Sequence, residues 1–169
     1  MQPPIEIRRL AARDVDAIAS AFEAWPKPRE QFERYLAEQE AGRREILVAW
    51  RETRACGYVT LVWEPDHPPF RESGIPEIQD FNVLPAFRRE GIGSRLLDAA
   101  ERLAASRSTV VGIGVGLYAD YGAAQRLYVR RGYVPDGRGI SHRGRTVLGG
   151  ETVVADDDLV LRLTKRLRD

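Results

Sequence analysis

Between residues 75 and 115 the hydrophobic pattern changes period twice, which limits the folds open to the chain. Residues 75–83 have the composition of a strand, and Pro85 ends it. Ile92, Leu96, Leu97, Ala100 and Leu103 then recur on one helical face to about Ser106, and residues 110–115 are again strand-like. Strand, helix and strand joined in this way make a parallel pair with a right-handed crossover. The chain must therefore build a sheet with at least one parallel pair.

The flanking sequence extends that sheet on both sides. Ile5 and Ile7 alternate with their neighbours in a short opening strand, and Asp14 introduces helical spacing at Val15, Ile18, Ala19 and Phe22. Trp25 with Pro26 and Pro28 breaks this helix, and Phe32, Tyr35 and Leu36 mark a second one that runs to Gly42. Residues 46–50 and 56–63 read as a hairpin around the charged turn at 51–54. Pro65, Pro68 and Pro69 deny backbone donors to a ladder, so residues 64–74 are expected to be a loop. Residues 122–131 form a further helix capped by Gly132, Tyr133 and Val134 begin another strand, and Leu159, Leu161 and Leu163 alternate in a last one. No repeat or linker interrupts the pattern, which predicts one α/β (mixed α+β) domain over residues 1–169: a central twisted mixed sheet of about six to seven strands, flanked by about four helices.

Charge and rare residues exclude several function classes. Lys and Arg total 26 against 25 Asp and Glu, so no strong field draws the chain to nucleic acid. One cysteine, Cys56, and two histidines, His67 and His142, assemble neither a disulfide framework nor a Cys/His metal cage, and no metal is expected. Cys56 reads as a small buried hydrophobe in a strand. Met1 to Leu10 carries Glu6, Arg8 and Arg9 and lacks a signal-peptide core, and no later apolar run has the length of a membrane span, so a soluble, cytoplasmic protein is expected.

The run Arg88, Arg89, Glu90, Gly91, Ile92, Gly93, Ser94 falls where a strand has ended and a helix begins. The first amides of a helix have no internal partners and carry the positive end of its dipole, so a pyrophosphate there gains hydrogen bonds and roughly 0.3 to 2 kcal/mol per charge. Gly91 and Gly93 remove side chains from that approach, and the two arginines can add charge-assisted bonds. The same letters also fit a plain loop-to-helix turn. They are not a Walker loop, because no Lys followed by Ser or Thr stands at the required spacing. Gly112, Gly114 and Gly116 do not form a dinucleotide fingerprint, since Leu117 occupies the place of the third glycine and no helix begins there.

Val83, Pro85, Arg88, Arg89, Gly91, Ile92, Gly93, Leu96 and Leu97, at these spacings after a strand, resemble the acetyl-CoA motif of the GNAT superfamily of N-acetyltransferases. Ala124, Leu127, Tyr128, Gly132 and Tyr133 resemble that family's helix-and-strand motif, in which a Leu-Tyr pair precedes a Gly-aromatic turn. The order of elements agrees with the family on both sides. The resemblance implies a GNAT-like fold in which the strand at 75–83 is bulged near the acetyl group and splays from its parallel neighbour, opening a notch for the pantetheine arm of acetyl-CoA as co-substrate. It implies cofactor contacts from the backbone of Phe81, Asn82 and Val83, one amide of which would meet the developing oxyanion, and from the 88–94 run. Many members carry Asn three residues before the alanine; Tyr121 stands there in this chain, and its hydroxyl would have to replace the Asn contact.

Acyl transfer to an amine needs a neutral amine, a stabilised oxyanion and a proton for the departing thiolate. Presenting a lysine-like amine neutral at pH 7 costs roughly 4.6 kcal/mol, which a carboxylate acting directly or through water can relieve. Glu77 and Asp80 are the carboxylates on the acetyl-bearing strand; the resemblance favours Glu77, and Asp80, three residues on, would face the opposite side of a regular strand. Water is the third candidate, and both carboxylates can equally be read as a solvated strand edge. Tyr128, which its helical spacing alone would read as a core aromatic, is by resemblance the general acid. Trp25 and the 63–74 stretch, with Trp63, His67 and Phe70, are the candidates for acceptor recognition, together with the hairpin region around 139–150. The expected acceptor is a primary amine of a small molecule or peptide. The alternative is a non-catalytic acyl-CoA-binding regulatory domain of the same fold. The family is often dimeric, so the resemblance admits a homodimer.

Overall fold

Among residues 3–167, which the structure, a computed structural model, describes, there are eight strands and five helices. In order they are β1 (Ile5–Arg9), α1 (Val15–Ala21), α2 (Arg29–Glu40), β2 (Arg44–Arg51), β3 (Arg54–Val62), α3 (Pro68–Glu72), β4 (Glu77–Val83), α4 (Ile92–Ala105), β5 (Val110–Gly116), α5 (Gly122–Arg130), β6 (Val134–His142), β7 (Arg145–Thr146) and β8 (Leu159–Arg166). All strands join one sheet in the order β1-β2-β3-β4-β5-β8-β6-β7. Its one parallel pair is β4 with β5, joined through α4, as the change of period predicts.

The sheet separates two cores. Leu47, Ala49, Cys56, Val59, Leu61, Val111 and Ile113 pack with Leu96, Leu97 and Ala100 of α4 on one face. Ile46, Val48, Trp50 and Tyr58 alternate with them and pack on the other face against Ile18 of α1, Phe22, and Phe32 and Tyr35 of α2. This double covering explains why β2 and β3 read as near-continuous apolar runs. Burying each large aliphatic side chain contributes about 1.5–3 kcal/mol. No helix among the described residues is long and apolar enough to cross a membrane.

Two expectations need correction. Residues 64–74 are not loop throughout, because Pro68 and Pro69 occupy the first turn of α3, where the missing amide donors cost nothing. The sheet is also larger than six or seven strands, since residues 139–150 contribute the two-residue β7 against the end of β6.

The feature that shapes the site is a break in β4. Its register against β3 runs Glu77↔Val62, Ile78↔Leu61 and Gln79↔Thr60, then resumes at Asn82↔Tyr58, so Asp80 and Phe81 together oppose Val59. Asp80 takes a φ of 47°, rare for a residue with a side chain. On its other side β4 pairs with β5 only at Glu77↔Gly112 and Ile78↔Ile113. Beyond Ile78 the two parallel strands separate.

Candidate active site

The gap between β4 and β5 opens into a cavity of about 960 Å³ that reaches from the entrance of α4 to α5 and the 22–28 segment. At the α4 end, Gly91 precedes the helix with a φ of 76°, a conformation that only glycine adopts without strain, and Arg95 N–H closes the first helical bond on the Gly91 carbonyl at 3.1 Å. The amides of Ile92, Gly93 and Ser94 therefore lack backbone partners and line the cavity together with Arg88 and Arg89. A side chain at Gly93 would place its Cβ 3.1 Å from the ring of Phe81, so this glycine also lets the helix approach β4. Glu90 is absent from the lining; its carboxylate accepts a bond from Arg51 instead. These amides, two guanidinium groups and an open path suit a pyrophosphate, and the gap beside Phe81, Asn82 and Val83 suits an extended arm.

Glu77, Asp80 and Tyr128 all line this cavity. Glu77 is 2 % exposed; its Oε1 accepts from Arg162 Nε at 2.8 Å and its Oε2 from Gln79 Nε2 at 2.7 Å. The bulge puts Asp80 on the α2 face of the sheet, the side that Glu77 also occupies, contrary to the expectation for a regular strand. There its carboxylate accepts from Lys27 Nζ at 2.5 Å, Gln31 Nε2 at 2.8 Å, Tyr35 Oη at 2.9 Å, Tyr58 Oη at 2.6 Å and Asn82 Nδ2 at 2.7 Å. Burial alone would raise the Asp80 pKa, but the bonds from Lys27 and Tyr58 outweigh it and hold the group below the usual carboxylate range. The same burial and the neighbouring carboxylate push Tyr35 up to about 12. An acceptor so fully occupied holds structure together better than it collects protons.

Tyr128 is 5 % exposed, and burial raises its pKa well above the ordinary phenol value. Among the described residues nothing hydrogen-bonds to its hydroxyl, which leaves that proton uncommitted. Tyr121 also lines the cavity, but its hydroxyl donates to Asp157 Oδ1 at 2.8 Å, shared with Tyr118. Its ring fills the place of a side chain at Gly116, where a Cβ would lie 2.3 Å from Tyr121 Cδ2.

Of the residues expected to recognise the acceptor, Trp25 lines the cavity. The other three lie elsewhere. Trp63 follows Leu61 onto the α4 face, where Arg107 sits 4.0 Å above its ring. Phe70, 2 % exposed, is wedged over Gly112 of β5, where a Cβ would meet its ring at 2.2 Å. His67 stacks edge-on to Phe70 and lines a separate cavity of about 480 Å³ beside β6, where burial lowers its pKa. Arg162 and Lys27 were not singled out by the sequence. Arg162 occupies the polar phase of a strand recognised by Leu159, Leu161 and Leu163, and that phase was the signal available.

The profile of the Acetyltransferase (GNAT) family matches residues 12–133, which hold the whole cradle, the β4 bulge and Tyr128. The chain belongs to the GNAT family. It is an acyltransferase of that family. No curated protein matches it. Its fold is shared by an N-acetyltransferase from Staphylococcus aureus Mu50 (TM-score 0.71, 16 % identity, covering 98 % of this chain and 99 % of that one). It is shared as well by a ribosomal-protein-alanine N-acetyltransferase from Brucella melitensis (0.70, 20 %, 96 % and 99 %). A third GNAT-like structure, yncA from Salmonella typhimurium, contains its cofactor acetyl-CoA (0.67, 20 %, 98 % and 95 %).

Proposed function

We propose that this GNAT acyltransferase transfers an acetyl group from acetyl-CoA to a primary amine by direct attack. The observation that carries the reading is that one continuous cavity joins the unpartnered α4 amides, the opened edge of β4, Glu77 and Tyr128. When bound, acetyl-CoA supplies the acetyl thioester. Ile92, Gly93 and Ser94 amides, with Arg88 and Arg89, hold its pyrophosphate, and the β4 edge from Phe81 to Val83 holds its arm. An amide freed from β5 beyond Ile78 receives the negative charge that develops on the carbonyl oxygen.

Glu77 takes the proton of the acceptor amine, directly or through water, while Arg162 and Gln79 fix the carboxylate. Asp80 supports the bulge and remains in its five hydrogen bonds. Tyr128 returns a proton to the departing sulfur; its raised pKa keeps that proton in place across the working range. Trp25 borders the acceptor side. Release of the CoA thiol, followed against a panel of primary amines, tests the reading. Amine-dependent release is expected, and acetyl-CoA binding without any amine-dependent release would make the chain an acyl-CoA-binding domain instead.

A further inference from the structure

Val111, Ile113 and Val115 of β5 face α4, so Gly112 and Gly114 between them leave the opposite face of the strand bare. Phe70, Val160 and Arg162 cover it, Val160 Cγ1 lying 2.8 Å from where a Cβ at Gly114 would stand. Phe70 lies over Gly112, and Arg162 of β8, paired with Gly114, runs across the second glycine; a Cβ at Gly114 would approach Arg162 Cδ to 3.4 Å. The guanidinium is thereby brought beside Glu77. Arg162 is also the one residue that lines both cavities, the large one with Glu77 and Trp25 and the smaller one with His67 and Ser141.

Its donors are incompletely used. Nε donates to Glu77 Oε1 at 2.8 Å and Nη1 donates to Ser141 Oγ at 3.3 Å, and no acceptor among the described residues faces Nη2. A guanidinium presents five N–H groups in a fixed fork, and a free edge of that fork matches a carboxylate. Lys27, which also lines the large cavity, is committed to Asp80. An acceptor entering here meets a carboxylate and a guanidinium in direct contact, the complement of a molecule that carries an amine and a carboxylate on one carbon.

We propose that Arg162 is a specificity-determining residue: it binds the carboxylate of a free amino-acid acceptor whose amine faces Glu77. The proposal rests on the reading that Glu77 receives the acceptor amine, and it narrows that acceptor to a small amino acid in preference to a peptide, whose first residue has no free carboxylate. Substitution of Arg162 also disturbs Glu77, so the useful quantity is a ratio in which that common loss cancels.

Each common amino acid and its amide form a matched pair of probes. Acetylation, as kcat/KM per neutral amine so that the lower amine pKa of the amide cancels, and calorimetric binding to the CoA-saturated protein are measured for both. At least one amino acid is expected to exceed its amide by about ten-fold or more, since a site built for a polar group discriminates strongly against its loss. Arg162→Gln should bring that ratio to about one, and Arg162→Lys, which keeps charge without the fork, should retain part of it. The proposal is overturned if every pair has a ratio near one in the unmodified protein, a result that needs no variant to fold, or if the preference survives in Arg162→Gln. Arg162-dependent binding of an amino acid without thiol release would sink the catalytic reading and leave this one standing. Equal turnover of acids and amides would do the reverse.

Discussion

In the proposed reaction, single atoms of Tyr128 and Glu77 decide the chemistry. Tyr128→Phe removes one oxygen from a buried ring and leaves the packing intact, so kcat should fall about 10²-fold or more while the KM for acetyl-CoA hardly moves. Unchanged kcat in steady-state assays would return Tyr128 to the role of a core aromatic. Glu77→Gln keeps the hydrogen bond from Arg162 and loses the base. The kcat/KM profile should lose its acidic limb and recover toward high pH, where the free amine is abundant. A profile of unaltered shape would pass the proton to water. The family resemblance offered Tyr128 and Glu77 as candidates, whereas Arg162 meets Glu77 from 85 residues away and no local pattern announces that contact.

At the scale of elements, the entrance of α4 and the bulge of β4 act as one unit. Gly93→Glu inserts bulk and negative charge between the α4 amides and Phe81, and CoA binding by calorimetry should disappear while the circular dichroism spectrum stays folded. Near-normal affinity in that variant would remove the cradle from the argument. Asp80 secures the other end of the unit by tying β4 to α2 and to Lys27. Asp80→Ala strands Lys27 and the two tyrosine hydroxyls in a part-buried site, and urea unfolding should show a loss of about 1–3 kcal/mol, the range for leaving such donors unsatisfied. The residues over 75–83 read as a strand and the family resemblance implied a bulge in it, but its place, with Asp80 and Phe81 opposite Val59, depends on the register against β3.

For the whole molecule the charge pairs set the response to acid. Asp80, Asp14 and Glu101 all have depressed pKa values in the fold: donors outweigh burial at Asp80 and Glu101, and the Arg8 bond leads at Asp14. A depressed folded pKa means stability that is present above the unfolded value, about 3.9 to 4.3, and lost as pH falls through the folded one. Tm should therefore be nearly flat from pH 8 to 6 and fall steeply below about pH 4.5. Asp80→Asn should shrink that acid-side drop, and a drop of the same size in the variant would place the linkage elsewhere.

Sequence alone determined the strand-helix-strand unit, the apolar face of the helix within it and the Gly91–Gly93 entrance, because each is a local pattern of period or backbone freedom. It could not determine which partner each polar side chain meets. Proline in residues 64–74 argued against a ladder and was silent on a helix, so the sequence offered Trp63, His67 and Phe70 to the acceptor, while packing turned Trp63 to the α4 face and Phe70 onto Gly112. Asp80 was read as lying on the far side of a regular strand, and one inserted residue brought it back beneath Tyr58 and Lys27. Periodicity is a property of consecutive residues, but the facing of a side chain across a sheet depends on register. Only the assembled sheet fixes register.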